Sequence, residues 1–422
     1  MKISIDGIGK IHNSSVSVNG LTVISGENDT GKSTVGKTLF SIIQAFTTFP
    51  YILAKQSRER FQRDFERLYY EIRRYIDVSD NKDIRTFFSI ARGGLVANEN
   101  IPTHVLLTMA KDVLGNLVID AETRDRINAM MQKLDEENRR PEVGDKIMRD
   151  SLNKILLSEF PNDIVCKMIE HPAKVEVSDG VSKILEFTVD NKGIKEFSNS
   201  GPLGFKNVTL VDGPSILQYY PAISEFDSTG EKRMRRGAVP FHIMDLASKI
   251  QGVKRNIDLL GEVAPNKFPE ALTGNLKFDE KSHSFLYDTG KYTINSNNVA
   301  SGIKTLALFD LLVMGEYVNS ENLLILDEPE TNLHPKWQVQ YAKVICDLVR
   351  GGAKVLVNTH SPYMLEALKG YSRDIANVDF YLSRVNSDGY ADLKNTQGDI
   401  TQIIEILSQP LVDLVNELSA LQ

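Results

Sequence analysis

Leu323-Leu324-Ile325-Leu326-Asp327-Glu328-Pro329-Glu330 runs four apolar residues straight into two adjacent carboxylates. A short unbroken apolar run fits a strand buried on both faces of a parallel sheet. A core strand has no use for acids at its end. An open α/β sheet does, because ligands sit beyond the carboxyl ends of its strands. Asp327 can then hold a Mg²⁺ or its water, and Glu328 can face the water that attacks a γ-phosphate. Taken alone, the stretch is equally a buried strand stopped by Asp-Glu-Pro. Three other segments decide between these readings.

The first lies near the N-terminus. Ile3 and Ile5 suggest an opening strand, and Ser15-Val16-Ser17-Val18 a second, with Asn19-Gly20 as a hairpin turn before Leu21. Leu21-Thr22-Val23-Ile24-Ser25 reads as a third strand. It ends at Gly26-Glu27-Asn28-Asp29-Thr30-Gly31-Lys32-Ser33-Thr34, followed by a helix-like run to about residue 45. This is G-x-x-x-x-G-K-S between a strand and a helix. Its glycines let backbone N–H groups wrap a phosphate, and the helix N-terminus adds partial positive charge. Lys32 can bridge β- and γ-phosphates, and the Ser33 hydroxyl can ligate Mg²⁺.

The second is Val299-Ala300-Ser301-Gly302-Ile303-Lys304, ahead of an apolar helix over residues 305–314. A Ser-Gly pair at a helix start offers N–H groups and a hydroxyl to an anion, although Ser is also an ordinary N-cap. The third is Lys354-Val355-Leu356-Val357-Asn358-Thr359-His360-Ser361-Pro362, a buried strand with a polar tip, where His360 can hydrogen-bond a γ-phosphate or the attacking water. Between these strands, residues 336–349 form an amphipathic helix closed by Gly351-Gly352.

Gly26 to Thr34 resembles a Walker A loop, Ser301-Gly302-Ile303-Lys304 a divergent signature motif, Leu323 to Glu328 Walker B with its catalytic Glu, and His360 a switch histidine. Together they resemble the ABC-type ATPase heads of the SMC, RecF and Rad50 class. Ala300-Ser301-Gly302-Ile303-Lys304, Asp327-Glu328-Pro329-Glu330 with Leu333-His334-Pro335, and Asn358-Thr359-His360-Ser361-Pro362 look most like the ATPase of overcoming-lysogenisation-defect (OLD) proteins and related bacterial AAA-type defence ATPases. The resemblance covers the first 48 residues and about 280 to 410.

It implies an α/β ABC-type head with a mixed sheet that binds ATP and Mg²⁺ between two subunits, head to tail. One subunit would contribute Gly26, Asn28, Asp29, Thr30, Gly31, Lys32, Ser33 and Thr34, with Ser33 and Asp327 at the metal. The other would contribute Ser301, Gly302 and Lys304, with Asn332 where subunits communicate. Glu328 would activate water and His360 would sense the γ-phosphate. The signature lacks a second Gly and a Gln, and Gln44 and Gln218 are the candidates for a Q-loop glutamine. Only about 60 residues follow His360, too short for the TOPRIM nuclease that OLD nucleases carry; Asp388 and Asp392 read as turn acids.

The distance of about 300 residues from Lys32 to Asp327 exceeds one minimal nucleotide fold. The expected organisation is an N-lobe over 1–48, a mainly helical insertion with small strands over 49–205, a connecting region with a strand meander over 206–295, and a C-lobe over 296–422. Arg60, Arg63, Arg67 and Arg74 are interleaved with acids and read as a solvated helix face. Lys232-Arg233-Met234-Arg235-Arg236 reads as a basic loop, with a phosphate or nucleic-acid contact as the alternative.

Of the 422 residues 41% are hydrophobic and 25% charged, which suits a globular protein with a full core. A net charge of −7 argues against a general nucleic-acid coat. Cys166 and Cys346 form no metal spacing, and with no long apolar stretch the expectation is a reduced, cytoplasmic chain without membrane contact. The expected function is an ATP-hydrolysing switch or sensor subunit of an anti-phage defence complex. It would dimerise or form a higher oligomer, and would control a separate nuclease or toxin in response to a nucleic-acid or phage-protein trigger. The alternative is a RecF/Rad50-like DNA-repair ATPase, disfavoured by the absence of long heptads and by the acidic charge.

Overall fold

The computed structural model describes residues 1–75, 108, 111–112, 120–138, 144–169, 171–228, 239–260 and 267–420. The basic run at 232–236 lies outside them, as do the side chains of Arg60, Arg63 and Arg74. The chain forms two compact units, one of Met1–Thr47 with Arg149–Gln422, the other of Thr48–Met148.

The first unit is built on a six-stranded sheet in the order β14-β13-β3-β12-β11-β7. Its strands are β3 (Leu21–Ser25), β7 (Asn207–Val211), β11 (Asn322–Asp327), β12 (Lys354–Thr359), β13 (Val378–Val385) and β14 (Ala391–Asn395). All neighbouring pairs are parallel except β13 with β14. The apolar runs Leu323 to Leu326 and Val355 to Val357 are fully buried, as strands covered on both faces must be. Each such side chain contributes roughly 1.5–3 kcal/mol on burial.

The helices of this unit include α4 (Ile216–Ser228), α5 (Phe241–Leu260), α6 (Ser301–Met314), α7 (Pro335–Arg350) and α8 (Pro362–Tyr371), with the start of α1 (Lys32–Tyr75) up to Thr47 and α3 (Gly144–Glu159) from Arg149. α2 (Ala121–Asn138) lies in the second unit, where it buries Ile127 and Met131. α7 starts with Pro335 in its first turn, and the His334 ring nitrogen accepts from the Lys336 amide. Its stripe Tyr341, Ala342, Ile345, Cys346 and Val349 is buried at helical spacing. α9 (Thr401–Ala420) buries Ile403 near its start, while Leu411, Leu414, Val415 and Leu418 are exposed. Among the described residues no helix is long and apolar enough to cross a membrane.

A second sheet, antiparallel, runs β2-β1-β4-β5-β6. It comprises β1 (Lys2–Asp6), β2 (Ser14–Ser17), β4 (Ala173–Ser178), β5 (Lys183–Asp190) and β6 (Gly193–Asn199). Burial alternates along β1, β2, β4 and β5, which marks one covered face. A third, small sheet, β10-β9-β8, is the meander of β8 (Asn275–Asp279), β9 (Ser284–Asp288) and β10 (Thr293–Asn295).

Two expectations change here. Asn19-Gly20 is not a hairpin turn: β2 pairs with β1, and β3 enters the parallel sheet between β12 and β13. A strand buried at every residue needs neighbours on both edges and layers on both faces, which a hairpin with polar β2 would not supply. Gly20 instead lies against another strand's entry, where a Cβ would sit 2.5 Å from the Asn377 carbonyl oxygen. The insertion boundary at 205 also moves. The second unit ends at Met148, because β4 pairs with β1 across more than 150 residues of chain and draws β5 and β6 into the first unit. Finally, β6, α4, α8 and β14 have no counterpart in the sequence reading.

Candidate functional site

The loop from Gly26 to Gly31 joins β3 to α1. Gly31 holds φ +85, a left-handed conformation that favours glycine, and a Cβ on Gly26 would collide with the Ser383 carbonyl of neighbouring β13. Thr30 donates its hydroxyl to the Glu27 carbonyl (2.9 Å), and Ser383 donates to the Thr30 carbonyl (2.6 Å), so the loop is clamped from within and from β13. Asp29 is closed by an ion pair with Lys10. Lys32, almost fully buried, donates its ammonium to the carbonyls of Gly26 (3.0 Å) and Glu27 (2.5 Å). Burial holds its pKa below the ordinary lysine range, against the pull of Glu328, Asp327, Glu330 and Glu27. A cleft with about 370 Å³ of room opens here, lined by Lys10, residues 29–34, Lys37, Phe160, Asp163 and Glu328 among others.

Asp327 ends β11, next to β12 in register with Asn358. Asn358 donates its Nδ2 to Asp327 Oδ1 (2.8 Å) and to the Lys32 carbonyl (3.1 Å), and the Ser33 hydroxyl also bonds Asp327. This one amide therefore ties the strand end to the phosphate-type loop. Burial pushes the Asp327 pKa up, and the charges of Glu328 and Asp212 add to that, against the bonds from Asn358 and Ser33. Such a site gains from a cation beside Asp327.

Glu328 turns off the strand at φ +51, a conformation costing a non-glycine residue about 1–3 kcal/mol. Its amide donates to the Asn358 carbonyl (2.9 Å), and its half-exposed carboxylate reaches the cleft. Backbone strain of this kind re-aims a side chain away from the direction the strand would give it.

Glu330 is buried, and its Oε1 accepts from the Thr359 hydroxyl (2.7 Å) and the amides of His360 (2.9 Å) and Ser361 (3.2 Å). Charge-assisted bonds of this kind contribute about 1.5–3 kcal/mol each. They fix the end of β12, and Ser361 caps α8 while donating to Gln338 (2.6 Å). The His360 ring thereby faces Glu328, with Nδ1 3.2 Å from Oε1, and stands 3.5 Å from Glu330.

Asp212 follows β7, the strand beside β11. Its Oδ2 lies 3.1 Å from Nε2 of His242, whose Nδ1 lies 2.6 Å from Glu159 Oε2, and the His242 amide donates to Glu159 Oε1 (2.9 Å). Burial alone would lower the His242 pKa, but the hydrogen bonds and charges of Asp212 and Glu159 outweigh it and raise the ring to about 9. The same bond holds the Asp212 carboxyl below its ordinary range in spite of burial.

Lys32, Ser33, Asp327, Glu328 and His360 thus meet at the carboxyl ends of β3, β11 and β12. Asn28 is an exposed loop residue, and Thr34 lines the cleft in the first turn of α1. Ser301, Gly302, Lys304 and Asn332 do not line this cleft. Ser301 is the first helical residue rather than the cap, which is Ala300 and makes no side-chain bond. Ser301 and Asn332 are exposed, and a Cβ on Gly302 would sit 2.8 Å from the Asn332 carbonyl oxygen, so these three share one surface. Lys304 is buried, unlike a group presented on that surface. Neither Q-loop candidate lines the cleft: Gln44 donates to Asp245 (3.2 Å), and Gln218 is exposed on α4. Cys346 is buried and its thiol pushed up to about 12, chiefly by that burial, which leaves it inert.

Sequence reasoning missed Glu330 and Asn358 as site-builders and the Asp212–His242–Glu159 chain entirely. Glu330 and Asn358 stand within the motifs, but their partners lie about 30 residues away along the chain. No local spacing connects Glu159, Asp212 and His242.

The donors fit a hard divalent cation. Asp327 and Ser33 offer oxygen only, and the buried Asn358 Oδ1 beside them has no hydrogen-bond partner among the described residues.

Residues 177–366 match the family model described as "AAA domain, putative AbiEii toxin, Type IV TA system". The match includes the Asp327-Glu328 strand end and His360, and begins well after the Lys32 loop. No curated protein matches the chain. Among solved structures, the SMC head domain from Thermotoga maritima is 10% identical over 94% of this chain and 98% of its own, with a TM-score of 0.38. The Smc head domain with an extended coiled coil from Pyrococcus furiosus, bound to the C-terminal domain of ScpA, is 12% identical over 97% and 98%, with a TM-score of 0.42. The motifs, the mixed α/β sheet and the AAA match together support an ATPase of the ABC/AAA type.

Proposed function

We propose that the chain binds ATP with Mg²⁺ in the Lys32 cleft and hydrolyses it as the switch subunit of a multi-component bacterial defence complex. The observation that carries the ATP reading is one cleft lined by the Lys32 loop and Glu328, with Asp327 bonded to Ser33 and His360 3.2 Å from Glu328. Lys32 is held by carbonyls of its own loop, and those bonds exchange readily for phosphate oxygens, which are stronger partners for an ammonium. The amides of residues 29–33 surround the β-phosphate position, at the N-terminus of α1. Ser33 and Asp327 would hold the Mg²⁺, which would supply charge neutralisation for phosphoryl transfer.

Glu328 accepts the proton of the attacking water. Its strained backbone aims the carboxylate into the cleft, and His360 orients it. Asn358 keeps Asp327 and the loop in register. Ser301 and Asn332 are exposed and Gly302 half-buried beside them, none lining the cleft of their own chain, which suits completion of the site of a second copy, head to tail. Ser301 and Gly302 then add the N–H groups of the α6 start to the γ-phosphate.

The switch role rests on the motif wording shared with OLD-type defence ATPases and on the toxin–antitoxin description of the matched family. Pull-down of the Glu328→Gln protein from its native host with ATP and Mg²⁺, followed by mass spectrometry, tests it. A stoichiometric nuclease or toxin supports the switch reading. Recovery of DNA without a protein effector replaces it with the repair-type reading.

A further inference from the structure

Resting on the ATP reading, we infer that Asp212 is a second carboxylate of the metal face, beside Asp327, positioned by a buried His242–Glu159 pair. Val211 pairs with Leu326 across parallel strands, so Asp212 and Asp327 emerge side by side at the carboxyl edge of the sheet. Residues in register share a face, and the face of Asp327 is the one that meets Ser33. His242 and, more weakly, Lys37, one turn beyond Ser33 on α1, are the positive groups that act on Asp212. The buried Asn358 Oδ1, without a hydrogen-bond partner among the described residues, is another oxygen at the same strand ends.

The support behind Asp212 is built for orientation. His242 is 1% exposed and engages a carboxylate through each ring nitrogen, Glu159 on one side and Asp212 on the other. Glu159 in turn holds both the ring and the main-chain amide of His242, so the imidazole has no rotation left to it. Asp212 itself stays 40% exposed. A buried imidazole pinned at both nitrogens, terminating in an exposed carboxylate next to a metal-type Asp, is the arrangement by which outer groups orient metal ligands. Mg²⁺ keeps several of its waters when bound. Asp212 therefore acts on those waters, as a positioning residue, rather than displacing them.

The test is equilibrium dialysis of radiolabelled ATP over a Mg²⁺ titration and in EDTA, on the full chain. Asp212→Asn should raise the Mg²⁺ concentration that half-saturates the gain in ATP affinity by about tenfold. It should leave the affinity in EDTA within about twofold of the parent. His242→Gln should move the Mg²⁺ curve the same way, whereas Lys32→Ala weakens ATP binding with and without the metal. A Mg²⁺ curve of Asp212→Asn that superimposes on the parent overturns the inference, and so does an equal loss of affinity in EDTA. Because Asp212 is exposed, that variant keeps the test decisive even where His242→Gln fails to fold. A parent chain that binds no ATP overturns the ATP reading itself, and a Mg²⁺-dependent parent with an unaltered Asp212→Asn overturns this inference alone.

Discussion

His360 Nδ1 stands 3.2 Å from Glu328 Oε1, although the two residues come from different strands. The Glu328 backbone is strained and the His360 backbone is tied to Glu330, so the two side chains are held against each other, with Glu328 lining the cleft. General-base catalysis contributes typically 10²–10⁴-fold. Glu328→Gln should therefore cut ATP turnover by at least about 10²-fold while leaving ATP binding within a few-fold. Phosphate release and ATP dialysis on the same preparation check this. Turnover at the parent rate would remove Glu328 from the base role.

Glu330 contributes through position rather than contact. Replacing it by Gln keeps the size but loses the charge behind the bonds to Thr359, His360 and Ser361. Stability should fall by about 2–4 kcal/mol, read as a lower midpoint in urea denaturation. Turnover should fall more than ATP binding, because the end of β12 carries His360.

Gly31→Ala places a Cβ at φ +85 and 3.0 Å from Ile11. The loop must leave its cradle to relieve this, so ATP binding should drop by at least about tenfold, with little change in melting temperature. Dialysis and thermal denaturation together separate a local from a global effect.

Two dead variants should complement one another if sites form head to tail. Lys32→Ala removes the ammonium of one side, and Ser301→Arg blocks the other. In an equal mixture half of the dimers are mixed, and each has one intact site of two. About a quarter of the parent turnover should return. No recovery after mixing and re-equilibration would show that each cleft works within its own chain.

The His242 ring provides a pH signature in stability. Its folded pKa, about 9, lies above the unfolded value of 6.5. The associated stabilisation, on the order of 3 kcal/mol, is fully present below about pH 6.5 and lost as pH rises through about 9. Urea midpoints should decline between pH 7 and 9.5, and the decline should flatten in His242→Gln.

The sequence by itself determined the parallel core and the chemistry of the strand ends. An apolar run into Asp-Glu, a glycine loop into Lys-Ser before a helix, and a buried strand into Asn-Thr-His are local patterns. Their burial and their phosphate chemistry follow from neighbouring residues alone. Tertiary structure decided which edges meet. It separated β2 from β3 and drew β4, β5 and β6 to β1, because strand pairing is a contest among distant partners that alternation cannot settle. It placed Ser301, Gly302 and Asn332 on a surface apart from the cleft, and turned Lys304 inward. It also assembled Glu159, His242 and Asp212 from three elements, a contact written nowhere in local spacing because it exists only once α3, α5 and β7 have packed.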